Sequence, residues 1–154
     1  MNPGDNEYGN VPASSPRAVD GNAPTVLCVD DDPNVSEALA RAFHRYGILV
    51  LRAFFGIQGL SEAVAQKPDA IILDLAMPKG QGVEILKCLK NNPQTAHIPV
   101  FILTGSNDPT MKRRVQHLGA AAYFHKPVCS DELLNEICRQ ISTPALAASE
   151  PGGP

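Results

Sequence analysis

The sequence predicts an α/β fold: a doubly wound parallel sheet of five short strands with helices on both faces. Three observations carry that expectation. Five apolar runs of four to six residues show no alternation and are bounded by turn residues, as in strands covered on both sides. Five stretches with apolar residues at helical spacing alternate with them, so each strand hands over to a helix and the chain returns in the same direction. Several of the runs end on carboxylate, hydroxyl or ammonium side chains. Open sheets of this kind bind ligands beyond the carboxyl ends of their strands.

Residues Met1 to Ala23 are rich in Asn, Pro, Gly and Ser and have little to bury, so a disordered leader is expected over 1–23. Thr25 to Val29 is the first strand. It runs into Asp30-Asp31-Asp32-Pro33, where Asp32 supplies an N-cap acceptor and proline takes the first helical position. That helix continues through Val35, Leu39, Ala42, Phe43 and Tyr46 and stops at Gly47. Ile48 to Leu51 is the second strand. Ile57 to Gln66 reads as a helix with Leu60, Ala63 and Val64 facing inward. After Lys67-Pro68-Asp69 comes the third strand, Ala70 to Leu73, followed by a helix from Val83 to Lys90 that ends at Asn91-Asn92-Pro93. Ile98 to Leu103 is the fourth strand. Asp108-Pro109 repeats the Asp-Pro helix start and leads to Gly119. Ala120 to Phe124 is a short fifth strand, and Ser130 to Ile141 a last amphipathic helix. One folded domain over 24–142 follows, with a Pro/Gly/Ala tail over 143–154 expected to be disordered.

A chain of 154 residues has room for one sizeable core. With 44% hydrophobic but only 5% aromatic residues, that core must be aliphatic. The net charge of −3 lies in the flanks, where Asp5, Glu7, Asp20 and Glu150 outweigh Arg17, so the stretch between is neutral. Neither nucleic acid nor an anionic membrane is therefore expected as a partner. Cys28, Cys88, Cys129 and Cys138 have no metal-ligand spacing and read as free thiols. No apolar run is long enough to cross a bilayer and no signal peptide pattern opens the chain, which points to the cytoplasm.

The stretch from Asp69 to Gly82 organises the rest. Its apolar run ends on Asp74, and Met77-Pro78-Lys79-Gly80 then breaks the backbone. A carboxylate there either caps a turn or does chemistry. Capping the first helix needs only one of Asp30, Asp31 and Asp32, which leaves Asp30 and Asp31 without a structural job unless they form a solvated acidic turn. In a parallel sheet, Asp30, Asp31, Asp74, Thr104 and Lys126 all come to one rim. Clustered carboxylates stay ionised only beside a cation. Hard oxygen ligands with open positions favour Mg²⁺, which shares its shell with phosphate oxygens. One carboxylate can then attack phosphorus, while the cation, a lysine and a hydroxyl neutralise the transferred group.

With these residues in place, the chain from about Pro24 to Ser142 resembles the receiver domain of two-component response regulators, of the chemotaxis-regulator type. The resemblance rests on Val29-Asp30-Asp31, on Asp74 to Gly82, on Leu103-Thr104-Gly105 and on Lys126-Pro127. The spacings of 43 residues from Asp31 to Asp74, 30 to Thr104 and 22 to Lys126 fit the family as well. It implies a flavodoxin-like (βα)5 fold with strand order 2-1-3-4-5. It also implies that Asp74 accepts a phosphoryl group from a phosphohistidine on a sensor histidine kinase or histidine phosphotransfer protein. Asp31 and Asp74 would ligate Mg²⁺ directly, Asp30 through water, and the main-chain carbonyl of Ala76 would complete the protein ligands. Lys126 would hold a phosphoryl oxygen, with a cis peptide before Pro127. Thr104 would move toward the phosphate and Tyr123 would rotate inward as the switch aromatic. The output face would include Lys112, Arg113, Arg114 and His117 and meet a downstream protein. Only a dozen or so residues follow the last helix, so output is expected through partner binding or onward phosphotransfer. The chain is not expected to be an enzyme beyond its own phosphorylation and dephosphorylation.

Two other functions compete. A phosphatase with an aspartyl nucleophile needs a second acid two residues on, and here that position is Ala76, which transfers no proton. A binding module that has lost the chemistry would not need all five rim residues. A dinucleotide site is disfavoured because acids, not a Gly-rich loop, follow the first strand.

Overall fold

A computed structural model describes residues 23–77 and 81–141 of the protein. The expected leader up to residue 22, the tail from residue 142 and the turn at 78–80 lie outside the described residues. Strands and helices alternate strictly: β1 (Thr25–Val29), α1 (Pro33–His44), β2 (Leu49–Ala53), α2 (Gly56–Gln66), β3 (Ala70–Leu73), α3 (Gly82–Asn91), β4 (Val100–Thr104), α4 (Pro109–His117), β5 (Ala122–His125) and α5 (Ser130–Gln140).

The local reasons are those of capping and turn chemistry. Asp32 accepts the Asn34 N–H at 3.0 Å and Asp108 the Thr110 N–H at 2.9 Å, each with proline next in the helix. Gly47, at φ +72°, turns the chain out of α1 toward β2, a conformation that glycine adopts without strain.

All five strands are parallel, in the order 2-1-3-4-5. Alternate residues of each strand feed two separate cores. Val26, Cys28, Ile72, Phe101 and Leu103 pack with Leu39 and Phe43 of α1 and with Leu133 and Ile137 of α5. Leu27, Val29, Ile71, Leu73, Val100 and Ile102 pack with Ala63 of α2, Leu86 and Leu89 of α3 and Val115 of α4. Helices cover both faces, which is why these strands read as unbroken apolar runs.

Several details differ from the sequence reading: β4 runs from Val100 to Thr104 and not from Ile98 to Leu103. β2 continues past Leu51 through Arg52 to Ala53, because the Arg52 side chain finds hydrogen-bond partners on α1. β5 starts at Ala122 and carries on to His125. On α2, Ala63 is buried but Val64 is exposed, since the helix meets the sheet through Gly59 and Ala63.

The chain enters and leaves the domain at the same pole. Thr25 N–H donates to the Asp69 carboxylate at 2.8 Å where β1 begins, and Gln140 near the end of α5 donates to the Ala121 carbonyl at 3.2 Å just before β5. The strand carboxyl ends form the opposite pole. Among the described residues no helix is long and apolar enough to cross a membrane.

Candidate functional site

Register sets the site. Val29 of β1 pairs with Leu73 of β3 on one side and Ala53 of β2 on the other, so Asp30 and Asp74 leave adjacent strands at the same level. Their backbones stay tied to the sheet beyond its last pairs: Asp74 N–H donates to the Val29 carbonyl and Asp30 N–H to the Ala53 carbonyl, both at 3.0 Å. Asp30 and Asp74 are 2% and 3% exposed, while Asp31 faces solvent. One carboxylate oxygen from each of Asp30, Asp31 and Asp74 lies within 4.8 Å of the others.

Lys126 spans the two buried acids. Its ammonium donates to Asp30 Oδ2 at 2.7 Å and to Asp74 Oδ2 at 3.2 Å. It arrives from β5, where the Lys126 N–H donates to the Thr104 carbonyl at 2.8 Å and a cis peptide precedes Pro127. The other oxygens of the two acids are also engaged. Asp30 Oδ1 accepts the Asp32 N–H and Asp74 Oδ1 the Ala76 N–H, each at 2.9 Å. Asp30 therefore does have a structural job, contrary to the sequence reading: it closes the turn that leads into α1.

Burial pushes the Asp30 carboxyl above its ordinary value, against the hydrogen bonds from Lys126 and the Asp32 N–H that favour its ionised form. Burial works on Lys126 in the opposite sense, drawing it down. The Asp30 bond and the charges of Asp30 and Asp74 outweigh that, so its ammonium is held above the ordinary lysine value. An ion pair alone would lower the acid, and here desolvation of Asp30 prevails because almost none of it reaches water. Cys28, directly behind Asp30 in β1, is pushed up to about 12 by burial first and then by Asp30, so this thiol stays protonated.

Thr104 ends β4 fully buried, its hydroxyl accepting the Ser106 N–H at 3.3 Å. Tyr123 lies one strand away, its hydroxyl donating to the Ser106 carbonyl at 3.1 Å and the Lys112 ammonium 5.9 Å from its ring centre. Tyr123 thus already reaches the loop that follows Thr104. Gly82 opens α3 against the Asp74 loop, where a Cβ would sit 2.4 Å from Leu75 Cα and 2.8 Å from the Asp74 carbonyl oxygen. Only glycine permits that approach.

The structure brings Asp30, Asp31, Asp74 and Lys126 together; Thr104 joins them through its carbonyl, which accepts the Lys126 N–H, and Tyr123 meets Thr104 at Ser106. The donor set is hard oxygen, two buried carboxylates and an exposed one, and it suits a hard divalent cation that keeps some of its waters. Arg52 and Ser36 were missed at the sequence level. Arg52 donates from Nε to Ser36 Oγ at 2.8 Å and from Nη2 to the Pro33 carbonyl at 3.1 Å. The available signals were a lone arginine at the end of an apolar run and a serine one helical turn past Asp32.

The sequence matches the response regulator receiver domain family over residues 26–138. This chain belongs to that family. The receiver domain is 34% identical over 112 residues to Protein PilH of Pseudomonas aeruginosa, covering 73% of this chain and 93% of PilH. It is 35% identical over 114 residues to the DNA-binding dual master transcriptional regulator RpaA of Synechocystis, covering 74% of this chain but 47% of RpaA. Against other curated relatives, too, it spans less than half of their length. Among solved structures, the receiver domain of Francisella response regulator 1452 superposes with a TM-score of 0.70 at 30% identity, over 77% of this chain and 96% of that one.

Proposed function

We propose that this receiver domain is a phosphoacceptor in a two-component or phosphorelay pathway, with Asp74 as the residue modified. The observation that carries the reading is the single ammonium of Lys126 shared between Asp30 and Asp74, with Asp31 open to solvent beside them. Asp30, Asp31, Asp74 and the Ala76 carbonyl would hold Mg²⁺, which supplies positive charge where phosphoryl oxygens gather. A carboxylate oxygen of Asp74 attacks phosphorus of a phosphohistidine, the P–N bond breaks, and its electron pair leaves with the imidazole nitrogen. Lys126 is placed to follow the phosphoryl oxygens, keeping one charge-assisted bond throughout. The Thr104 hydroxyl, fully buried at the neighbouring strand end, can donate to a phosphoryl oxygen once it turns from Ser106.

The donor is a sensor histidine kinase or a histidine phosphotransfer protein, in the cytoplasm. Thr104 and Tyr123 carry the switch, because both make hydrogen bonds to Ser106 and any movement of one disturbs the other. Reversing a 1:99 conformer ratio takes roughly 5.5 kcal/mol, within reach of a dianion that gains a cation, an ammonium and a hydroxyl. The downstream partner would be a protein meeting α4, where Lys112, Arg113, Arg114 and His117 are exposed. Incubation with Mg²⁺ and a small phosphodonor should add one phosphoryl group by intact mass. Asp74→Asn should add none. An unmodified wild type, or equal labelling of Asp74→Asn, would overturn the assignment.

A further inference from the structure

Resting on the cation site read above, we propose that Arg52 is a positioning residue: with the neighbouring Ala53 carbonyl it brackets the Asp30–Asp32 loop and holds it in the shape that receives the divalent cation. The two ends of that loop are fastened to consecutive residues of β2. At the entrance, the Ala53 carbonyl accepts the Asp30 N–H at 3.0 Å. At the exit, Arg52 Nη2 donates to the Pro33 carbonyl at 3.1 Å, and its Nε donates to the fully buried Ser36 Oγ at 2.8 Å. Ser36 Oγ itself donates to the Pro33 carbonyl at 3.3 Å, which closes a small ring around the first turn of α1.

The guanidinium is fixed from its other side as well. The Phe54 ring centre lies 5.4 Å from Arg52 Cζ, and the Phe54 N–H is held by Gln58 Oε1 at 2.8 Å. Helix stability does not explain this placement. A cation against the first turn of a helix opposes the macrodipole, and Arg52 forms no ion pair among the described residues. What this clamp fixes is the loop that carries Asp30 and Asp31, two of the three clustered carboxylates, and that gives the position its purpose. A planar fork with donors in fixed directions can hold a carbonyl and a hydroxyl together, and lysine cannot reproduce that.

The test is calorimetric titration of the full chain with Mg²⁺, paired with thermal melts in EDTA and in Mg²⁺. The wild type, Arg52→Ala and Arg52→Lys are compared. Arg52→Ala should bind Mg²⁺ about tenfold more weakly, the scale of outer-shell supports of a metal site, and its Mg²⁺-induced rise in Tm should shrink accordingly. A purely structural role would move the EDTA melt and leave that increment unchanged. Arg52→Lys keeps the charge and loses the fork, so its Mg²⁺ affinity should fall between those of Arg52→Ala and the wild type. Arg52→Ala binding like wild type overturns the proposal, as does complete rescue by lysine. Should Arg52→Ala fail to fold, Arg52→Lys decides by the same criterion. A wild type that takes no Mg²⁺ removes the cation site itself and this role with it; a wild type that binds beside an unaffected Arg52→Ala removes the role alone.

Discussion

Asp30 serves two ends that pull against each other. Its Oδ1 closes the turn into α1, which a neutral oxygen could also do, but its Oδ2 pairs with Lys126, which calls for a charge in a place that water hardly reaches. Because the fold raises its pKa, the protonated form is favoured by folding. Its contribution to stability is complete below the unfolded value near 3.8 and is lost as pH rises through the folded value. At neutral pH an ionised Asp30 thus works against the fold when no cation is bound. Asp30→Asn should stabilise the protein in EDTA at pH 7 by about 1 kcal/mol, and the gain should vanish in melts below the unfolded value. Lys126 behaves oppositely to a depressed amine: with its pKa raised, its contribution is complete below the unfolded value near 10.5 and is lost as pH climbs through the folded one. In sequence, both residues were visible as strand-end charges. The turn that Asp30 closes was not, since Asp30, Asp31 and Asp32 offer the same side chain three times and only coordinates tell which oxygen meets which N–H.

At the level of elements, helix starts show where sequence reasoning works and where it stops. Asp32-Pro33 and Asp108-Pro109 announce α1 and α4 through chemistry local to four residues, and both caps form. α2 begins without such a signal. Its N-cap is Phe55, extended at φ −152° and ψ 162°, 59% exposed and with no side chain to accept the orphan N–H groups. Phe55→Asp should add that acceptor and raise stability by about 1 kcal/mol, measurable as a higher urea midpoint at unchanged m-value. The second strand was cut short at Leu51 for a related reason. Arg52 looks like a loop residue until α1 is folded beside it, because its bonds to Ser36 and Pro33 cross 16 and 19 residues of chain. Val64 likewise fits the apolar period of α2 but overshoots the stripe, which centres on Gly59 and Ala63 where the helix lies close against Val29.

The whole molecule is one sheet with a core on either side, so damage to one face is felt by the other. Phe43 is fully buried between α1 and the sheet in the α1–α5 core. Phe43→Ala should cost about 3–5 kcal/mol. Far-UV circular dichroism and tyrosine absorbance should still report one coincident unfolding transition, because both cores share every strand of the sheet. The convergence of distant acids was legible because parallel strands all present their carboxyl ends at one pole, and the register between Val29 and Leu73 turns that rule into a distance between Asp30 and Asp74; the strand order came only with the family resemblance.

The opposite pole carries a practical corollary. Thr25 and Gln140 bracket the foot of the sheet, with the whole depth of the strands between them and Lys126. A fluorescent reporter, an affinity tag or a neighbouring module tethered at either of those ends would hang beneath the domain like ballast and leave the acidic rim at the far pole uncovered.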